Sequence, residues 1–162
     1  MKVIANGINL DDVKKVIIRA GDLLISYWNK RAGLEIDYKL GQGLVSQADR
    51  EVEKFLINNL ENFIPNSKFF AEESSFLSSI NEESFKKGFT WMIDPLDGTN
   101  NFLSGFDYFS ISVALCENSL PIFGCVYRPV RGDFFFATKS DGAFLENIKY
   151  SNRVVSLTEK IC

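Results

Sequence analysis

"FSISVALCENSLPIFGCVYR", residues 109–128, sets two runs rich in β-branched and aromatic residues on either side of a turn at Asn118 to Pro121. Such runs, separated by a few turn residues, read as antiparallel neighbours. "DFFFAT" follows Arg131-Gly132 and "GAFL" follows Ser140-Asp141, so the same pattern continues as a meander from Phe109 to Leu145. Upstream, "FTWMI" (89–93) is a fully apolar run that is expected to stop at Asp94-Pro95. "KFFAEES" (68–74) reads as a short strand running into the adjacent acids Glu72 and Glu73, and the Ser-, Glu- and Lys-rich stretch from Ser74 to Gly88 reads as an exposed excursion.

Two helical patterns precede every one of these strands. Leu10, Val13, Val16, Ile17, Ala20, Leu23, Leu24 and Tyr27 recur every three or four residues, the stripe of an amphipathic helix. Asn9 suits its N-cap, Asp11 and Asp12 suit its first turn, and the helix is expected to end near Arg31, before Gly33. A loop, "DYKLGQG", follows. Ser46 with Asp49 three residues on then opens a second helix as a capping box, with Val52, Phe55, Leu56, Leu60 and Phe63 on its buried face and Pro65 closing it. Helices ahead of a meander predict an α+β fold, two helices packed on one face of a largely antiparallel sheet.

The 162 residues, 46% hydrophobic and 14% aromatic, supply a core of domain size. A net charge of -3 with scattered Lys and Arg argues against a nucleic-acid polymer as partner. The opening "MKVIANGINLDD" is too short in apolar residues for a signal peptide or a membrane span, so a cytoplasmic protein with no membrane partner is expected. Cys116, Cys125 and Cys162 are far apart and read as buried free thiols. Histidine is absent, which removes Ser-His-Asp and Cys-His catalysis and His-ligated zinc. Chemistry is left to carboxylates, hydroxyls, amides, Lys or a bound hard cation.

Asp94 and Asp97 stand at the end of an apolar strand, with Pro95 restricting the backbone between them and Gly98-Thr99 directly after. Carboxylates held close repel unless they share a proton or hold a divalent cation, and the spacing alone leaves both solutions open. It equally fits a surface loop whose acids cap a helix. If a helical turn starts at Gly98, its free N–H groups form an anion site beside the acids, the pairing that phosphate-ester hydrolysis needs.

"WMIDPLDGTNNF" (91–102) resembles the signature of the inositol monophosphatase family, in which an apolar strand leads into Asp-Pro-Ile/Leu-Asp-Gly-Thr-x-Asn-Phe. "FFAEES" is similar to the family's Gly-Glu-Glu segment, "GLVSQADREVE" to its Val-Thr-x-x-Asp segment, and "GAFLEN" to its Gly-Ala-Phe-x-Asn turn, all in the family's order. The resemblance implies a phosphomonoesterase using two or three Mg²⁺ ions on a small phosphorylated metabolite. It implies that Glu72, Asp94, the Leu96 carbonyl and the Thr99 hydroxyl hold one metal, that Asp94 and Asp97 hold a second, and that Asp49 lies near an additional one. It further implies that Glu72 and Thr99 position and activate the attacking water, and that Asp97 and the amides of Gly98 and Thr99 serve the substrate.

Two departures from the family pattern stand out. Ala71 replaces the usual Gly before the paired acids. The family's Trp-Asp-x-Ala segment, which gives the second metal a third aspartate, has no counterpart, because the tryptophans are Trp28 and Trp91 and neither precedes Asp. Residues 1–162 are thus expected to be the N-terminal half of the family's layered sugar-phosphatase fold, without its C-terminal α/β domain. From this follow impaired hydrolysis, an apolar sheet face open to water, and self-association, homodimerisation or docking on another chain. A non-catalytic interaction module with partial metal binding is the competing expectation. Inositol monophosphates, sugar bisphosphates and phosphoadenosine phosphate all remain open as substrates.

Overall fold

The computed structural model describes residues 3–4, 7–39, 43–72, 86–150 and 154–156. Helix α1 (Leu10–Trp28) is followed by a 3-10 turn (Arg31–Gly33), a hairpin of β1 (Ile36–Lys39) and β2 (Gly43–Ser46), and helix α2 (Gln47–Leu60). Then come β3 (Lys68–Ala71), β4 (Phe89–Asp97), the short helix α3 (Thr99–Ser104), and β5 (Ser110–Glu117), β6 (Leu120–Arg128), β7 (Asp133–Thr138), β8 (Gly142–Asn147) and β9 (Val154–Ser156). Strands β3 to β9 form one sheet in sequence order, with β3 and β4 parallel and every other pair antiparallel. The α+β fold read from the sequence is the one observed.

The helices form where their caps and stripes dictate. Asn9 accepts a hydrogen bond from the Asp11 amide at 2.9 Å, and Leu10, Val13, Ile17, Ala20 and Leu24 of α1 are buried. The helix stops at Trp28 rather than Arg31, because residues 31–33 tighten into the 3-10 turn. In α2 the Ser46 and Asp49 capping box is present on both sides, with the Ser46 amide donating to Asp49 Oδ2 at 2.8 Å. Pro65 does not close α2. The helix ends at Leu60, and turns carry the chain through Asn66, whose φ is +64°.

Two further readings are corrected. "DYKLGQG" is not all loop: Asp37 pairs with Val45 and Lys39 with Gly43, making a small hairpin whose four-residue arms are too short to show a pattern. Strand β4 also does not stop at Asp94-Pro95. Asp94 pairs with Ser112 and Asp97 with Ser110, so three steps on β4 match two on β5, and the extra residue is absorbed as a bulge at Pro95-Leu96. Proline is tolerated there because a bulge leaves an amide without a ladder partner. The excursion read at 74–88 lies mostly outside the described residues.

Cross-strand register fixes which face each side chain takes. The row Ile93, Val113, Cys125 and Phe136 is buried, and α1 and α2 pack over that side of the sheet. Trp91, Leu115 and Phe123 extend this core. On the opposite side the row Met92, Ala114, Gly124, Ala137 and Ala143 is only partly covered, and Val126 is 38% exposed. That second face carries a cleft of about 350 Å³ beside Val126, Phe135 and Ala143. Cys116 and Cys125 are buried free thiols as expected, and burial pushes Cys125 up to about 12, so it is inert as a nucleophile near neutrality. Cys162 lies outside the described residues. No described helix is long and apolar enough to cross a membrane.

Candidate functional site

Parallel pairing of β3 with β4 brings the ends of both strands to the same edge of the sheet. Ala71 stands opposite Ile93, and the Glu72 amide donates to the Ile93 carbonyl at 3.2 Å, so Glu72 arrives beside Asp94. Both acids line a cleft of about 430 Å³ whose floor is Phe70, Met92 and Ala114, on the face away from α1 and α2. The carboxyl of Asp94 is raised to about 7, first by burial, then by repulsion from Glu72 and from Asp97. A hydrogen bond from the Leu96 amide to Asp94 Oδ1, at 3.1 Å, works the other way without overcoming it. Glu73 lies outside the described residues.

The bulge and the turn after it set the remaining groups. Gly98 takes φ +92°, and a Cβ there would stand 2.8 Å from the Tyr108 carbonyl, so both the dihedral and the close approach require glycine. Thr99 begins α3, and its Oγ1 stands 3.1 Å from both the Leu96 carbonyl and Asp49 Oδ1, either of which can accept its one proton. Asp49 is 1% exposed, and its other oxygen receives both the amide and the hydroxyl of Ser46. Asp97 turns towards β5, where the Ser110 hydroxyl donates to its Oδ2 at 3.3 Å.

Glu72 and Asp94 are therefore brought together, and Thr99 Oγ1 separately joins the Leu96 carbonyl to Asp49. Asp97 is close enough to repel Asp94 but lines a second cleft, with Gly98, Asn101, Tyr108, Ser110 and Arg128. The sequence reading did not single out Asn101, Ser110 or Arg128. Asn101 lies on α3 two residues after Thr99, whereas Ser110 and Arg128 come from β5 and β6 and only the register of the sheet places them beside Asp97.

Among the described residues no group of three or more Asp, Glu, Cys or His gathers closely enough to hold an ion by those side chains alone. A mixed oxygen set fits a hard cation better. Octahedral Mg²⁺ with oxygens at about 2.1 Å sets neighbouring ligands about 3 Å apart. Thr99 Oγ1 and the Leu96 carbonyl oxygen are 3.1 Å apart. Glu72 and Asp94 add carboxylates at the same end of the sheet.

The model of the inositol monophosphatase family matches residues 9–162. An inositol monophosphatase of Dictyostelium discoideum is 36% identical over 145 residues, covering 88% of this chain and 52% of that protein. A protein of Thermotoga maritima named fructose-1,6-bisphosphatase/inositol-1-monophosphatase is 34% identical over 146 residues, covering 88% of this chain and 53% of its own length. Among solved structures, the extragenic suppressor protein suhB of Bartonella henselae superposes with a TM-score of 0.74 at 32% identity, over 84% of this chain and 51% of that one. An IMPase of Thermotoga maritima gives 0.71 at 33% identity, over 84% and 50%. The chain thus spans about half the length of the relatives it matches. The family model spans nearly the whole chain, and the chain belongs to the inositol monophosphatase family.

Proposed function

We propose that these residues form the metal- and phosphate-holding part of a Mg²⁺-dependent phosphomonoesterase acting on a small phosphorylated polyol, sugar or nucleotide. The meeting of Glu72 and Asp94 in one cleft at the end of β3 and β4 carries the reading. Cations held there would offset charge on the phosphoryl oxygens and lower the pKa of water. Glu72, Asp94, Leu96 O and Thr99 Oγ1 would hold one ion; Asp94 and Asp97 would hold another, with Asp49 near any third.

The chain's own groups then divide the work. The carboxylate of Glu72 and the hydroxyl of Thr99 orient the attacking water. Thr99 Oγ1 can pass its proton towards Asp49 Oδ1, which leaves a lone pair free to accept from that water. The amides of Gly98 and Thr99 receive the phosphate, and Asp97 faces the body of the substrate.

A second reading has its own support. Among the described residues no trio of acids gathers, which favours an interaction module that binds metal weakly and does not turn over substrate. Phosphate release separates the two. The purified chain would be assayed with and without Mg²⁺ on inositol monophosphate, fructose bisphosphate and phosphoadenosine phosphate, beside Asp94→Asn. Mg²⁺-dependent release that the variant lacks supports the enzyme; silence from folded protein on every substrate leaves the module.

A further inference from the structure

Ser46 ends β2, where it pairs with Ile36, and is also the N-cap of α2, so two elements hold its backbone. It is fully buried, and its hydroxyl is engaged on both sides. Oγ accepts from the Ala48 amide at 3.1 Å and donates to Asp49 Oδ2 at 2.5 Å, the length of a hydrogen bond to an ionised oxygen. The Ser46 amide donates to the same oxygen at 2.8 Å. Asp49 Oδ2 thus receives two donors from one residue, and Oδ1 is the oxygen that meets Thr99.

Thr99 Oγ1 has one proton and two acceptors at the same 3.1 Å, the Leu96 carbonyl and Asp49 Oδ1. Distance does not decide between them. Charge does, because a hydrogen bond to an ionised acceptor is about twice as strong as one to a neutral carbonyl. That advantage lasts only while Oδ1 faces Thr99. The last torsion of an aspartate is broad and roughly two-fold, so one amide bond on Oδ2 leaves the carboxylate free to swing, and the Ser46 hydroxyl supplies the second point that stops it. Asp49 is 1% exposed, so bulk water cannot replace a lost donor.

We propose that Ser46 is a positioning residue for Thr99. By pinning Asp49 it sends the Thr99 proton to that carboxylate, which leaves the Leu96 carbonyl and the lone pairs of Thr99 Oγ1 for a cation and its water. The use of those oxygens rests on the phosphatase reading above, whereas the direction of the proton is a property of the metal-free chain.

A plain helix cap would occupy the same place, and glycine separates the two roles, since an N-cap accepts it almost without loss. Ser46→Gly removes the hydroxyl and keeps the cap; Ser46→Thr keeps both. In the metal-free chain carrying ¹³C at its leucine carbonyls, the Leu96 resonance should move downfield in Ser46→Gly, as its oxygen gains the Thr99 proton, and hold its place in Ser46→Thr. Titration calorimetry with Mg²⁺ alone should show binding about tenfold weaker in Ser46→Gly, the size of one charge-assisted hydrogen bond, and unchanged in Ser46→Thr. An unmoved Leu96 resonance in Ser46→Gly overturns the assignment, as does Mg²⁺ binding weakened alike by both variants, the mark of a damaged helix start. Thr99→Val gives a reading that does not depend on the Ser46 variants folding: the Leu96 resonance should stay where it is, and an upfield move would show that the carbonyl had held the proton all along. If Mg²⁺ does not bind the unaltered chain, the phosphatase reading fails together with the use of those oxygens, and the Leu96 resonance still decides whether Ser46 directs the proton. Mg²⁺ binding that is indifferent to Ser46 removes this assignment alone.

Discussion

Thr99 Oγ1 stands 3.1 Å from Asp49 Oδ1, tying the first residue of α3 to the capping acid of α2 across fifty positions of sequence. Asp49 is thereby engaged by the amide and hydroxyl of Ser46 on one oxygen and by Thr99 on the other. Thr99→Val would leave a buried carboxylate oxygen short of a donor and destabilise the fold by about 1–3 kcal/mol. Thr99→Ser, which keeps the hydroxyl, should lose much less stability. Urea denaturation of both variants checks the first point, and identical midpoints would show that the hydroxyl does not bind Asp49.

Asp94 sets a pH dependence whose sign can be worked out. Its carboxyl is raised from 3.8 to about 7 in the folded chain, so without metal the folded state holds a proton that the unfolded state has released. Stability therefore falls as pH rises from 3.8 towards 7 and levels off above it. In chelator, Asp94→Asn should melt at a higher temperature than the unaltered chain above pH 7 and at nearly the same one near the bottom of that window. Parallel melting curves for the two proteins across the window would count against the raised carboxyl. Cation affinity should strengthen through the same window, because the ion competes with that proton.

Gly98→Ala meets two penalties at once, a left-handed φ and a Cβ placed 2.8 Å from a backbone carbonyl that cannot swing aside. A loss of about 2–3 kcal/mol is expected, together with a fall in Tm of roughly 5–10 °C. The turn also presents Thr99 to Leu96, so Mg²⁺ affinity measured by calorimetry should fall in the same variant. Retention of both properties would mean that the turn relaxes freely.

Lys14 of α1 and Glu146 of β8 form a salt bridge with only 11% and 12% of their side chains exposed, and the Lys14 ammonium lies 5.1 Å from the Phe136 ring centroid. Removing one partner strands the other, so Lys14→Met should cost about 3 kcal/mol or more. Lys14→Met combined with Glu146→Leu should recover most of that loss, since a desolvated ion pair adds little net stability over apolar packing. Chemical denaturation of the single and double variants reads the difference directly. Additive losses would show that the two side chains act independently.

What was legible in the sequence was whatever is coded locally. Asn9, the Ser46–Asp49 box, the stripe of α1 and the β-branched and aromatic runs of β5 to β8 with their turns each act over a few residues, and each appears in the structure as read. The family signature around Asp94 was legible as a pattern of residue types. Its geometry was not: the bulge at Pro95-Leu96 depends on what β5 offers opposite, and the turning of Asp97 towards Ser110 depends on the same strand. The β1–β2 hairpin escaped because its arms of four residues carry too few positions for a period to show. Arg128 escaped because its neighbours in the cleft are chosen by register across three strands.

The parallel pairing of β3 with β4 has a consequence for how such a chain can diversify. Parallel neighbours require a return connection of about a dozen residues, and residues 72 to 88 make that return here. Glu72 is fixed by its own hydrogen bond to Ile93, and Asp94 by its place in β4, so neither acid is positioned by the length of what joins them. Insertions or replacements in the middle of the return leave the facing of the two carboxylates intact. The connection is consequently a place where descendants of this chain can acquire new recognition without rebuilding the acidic end of the sheet.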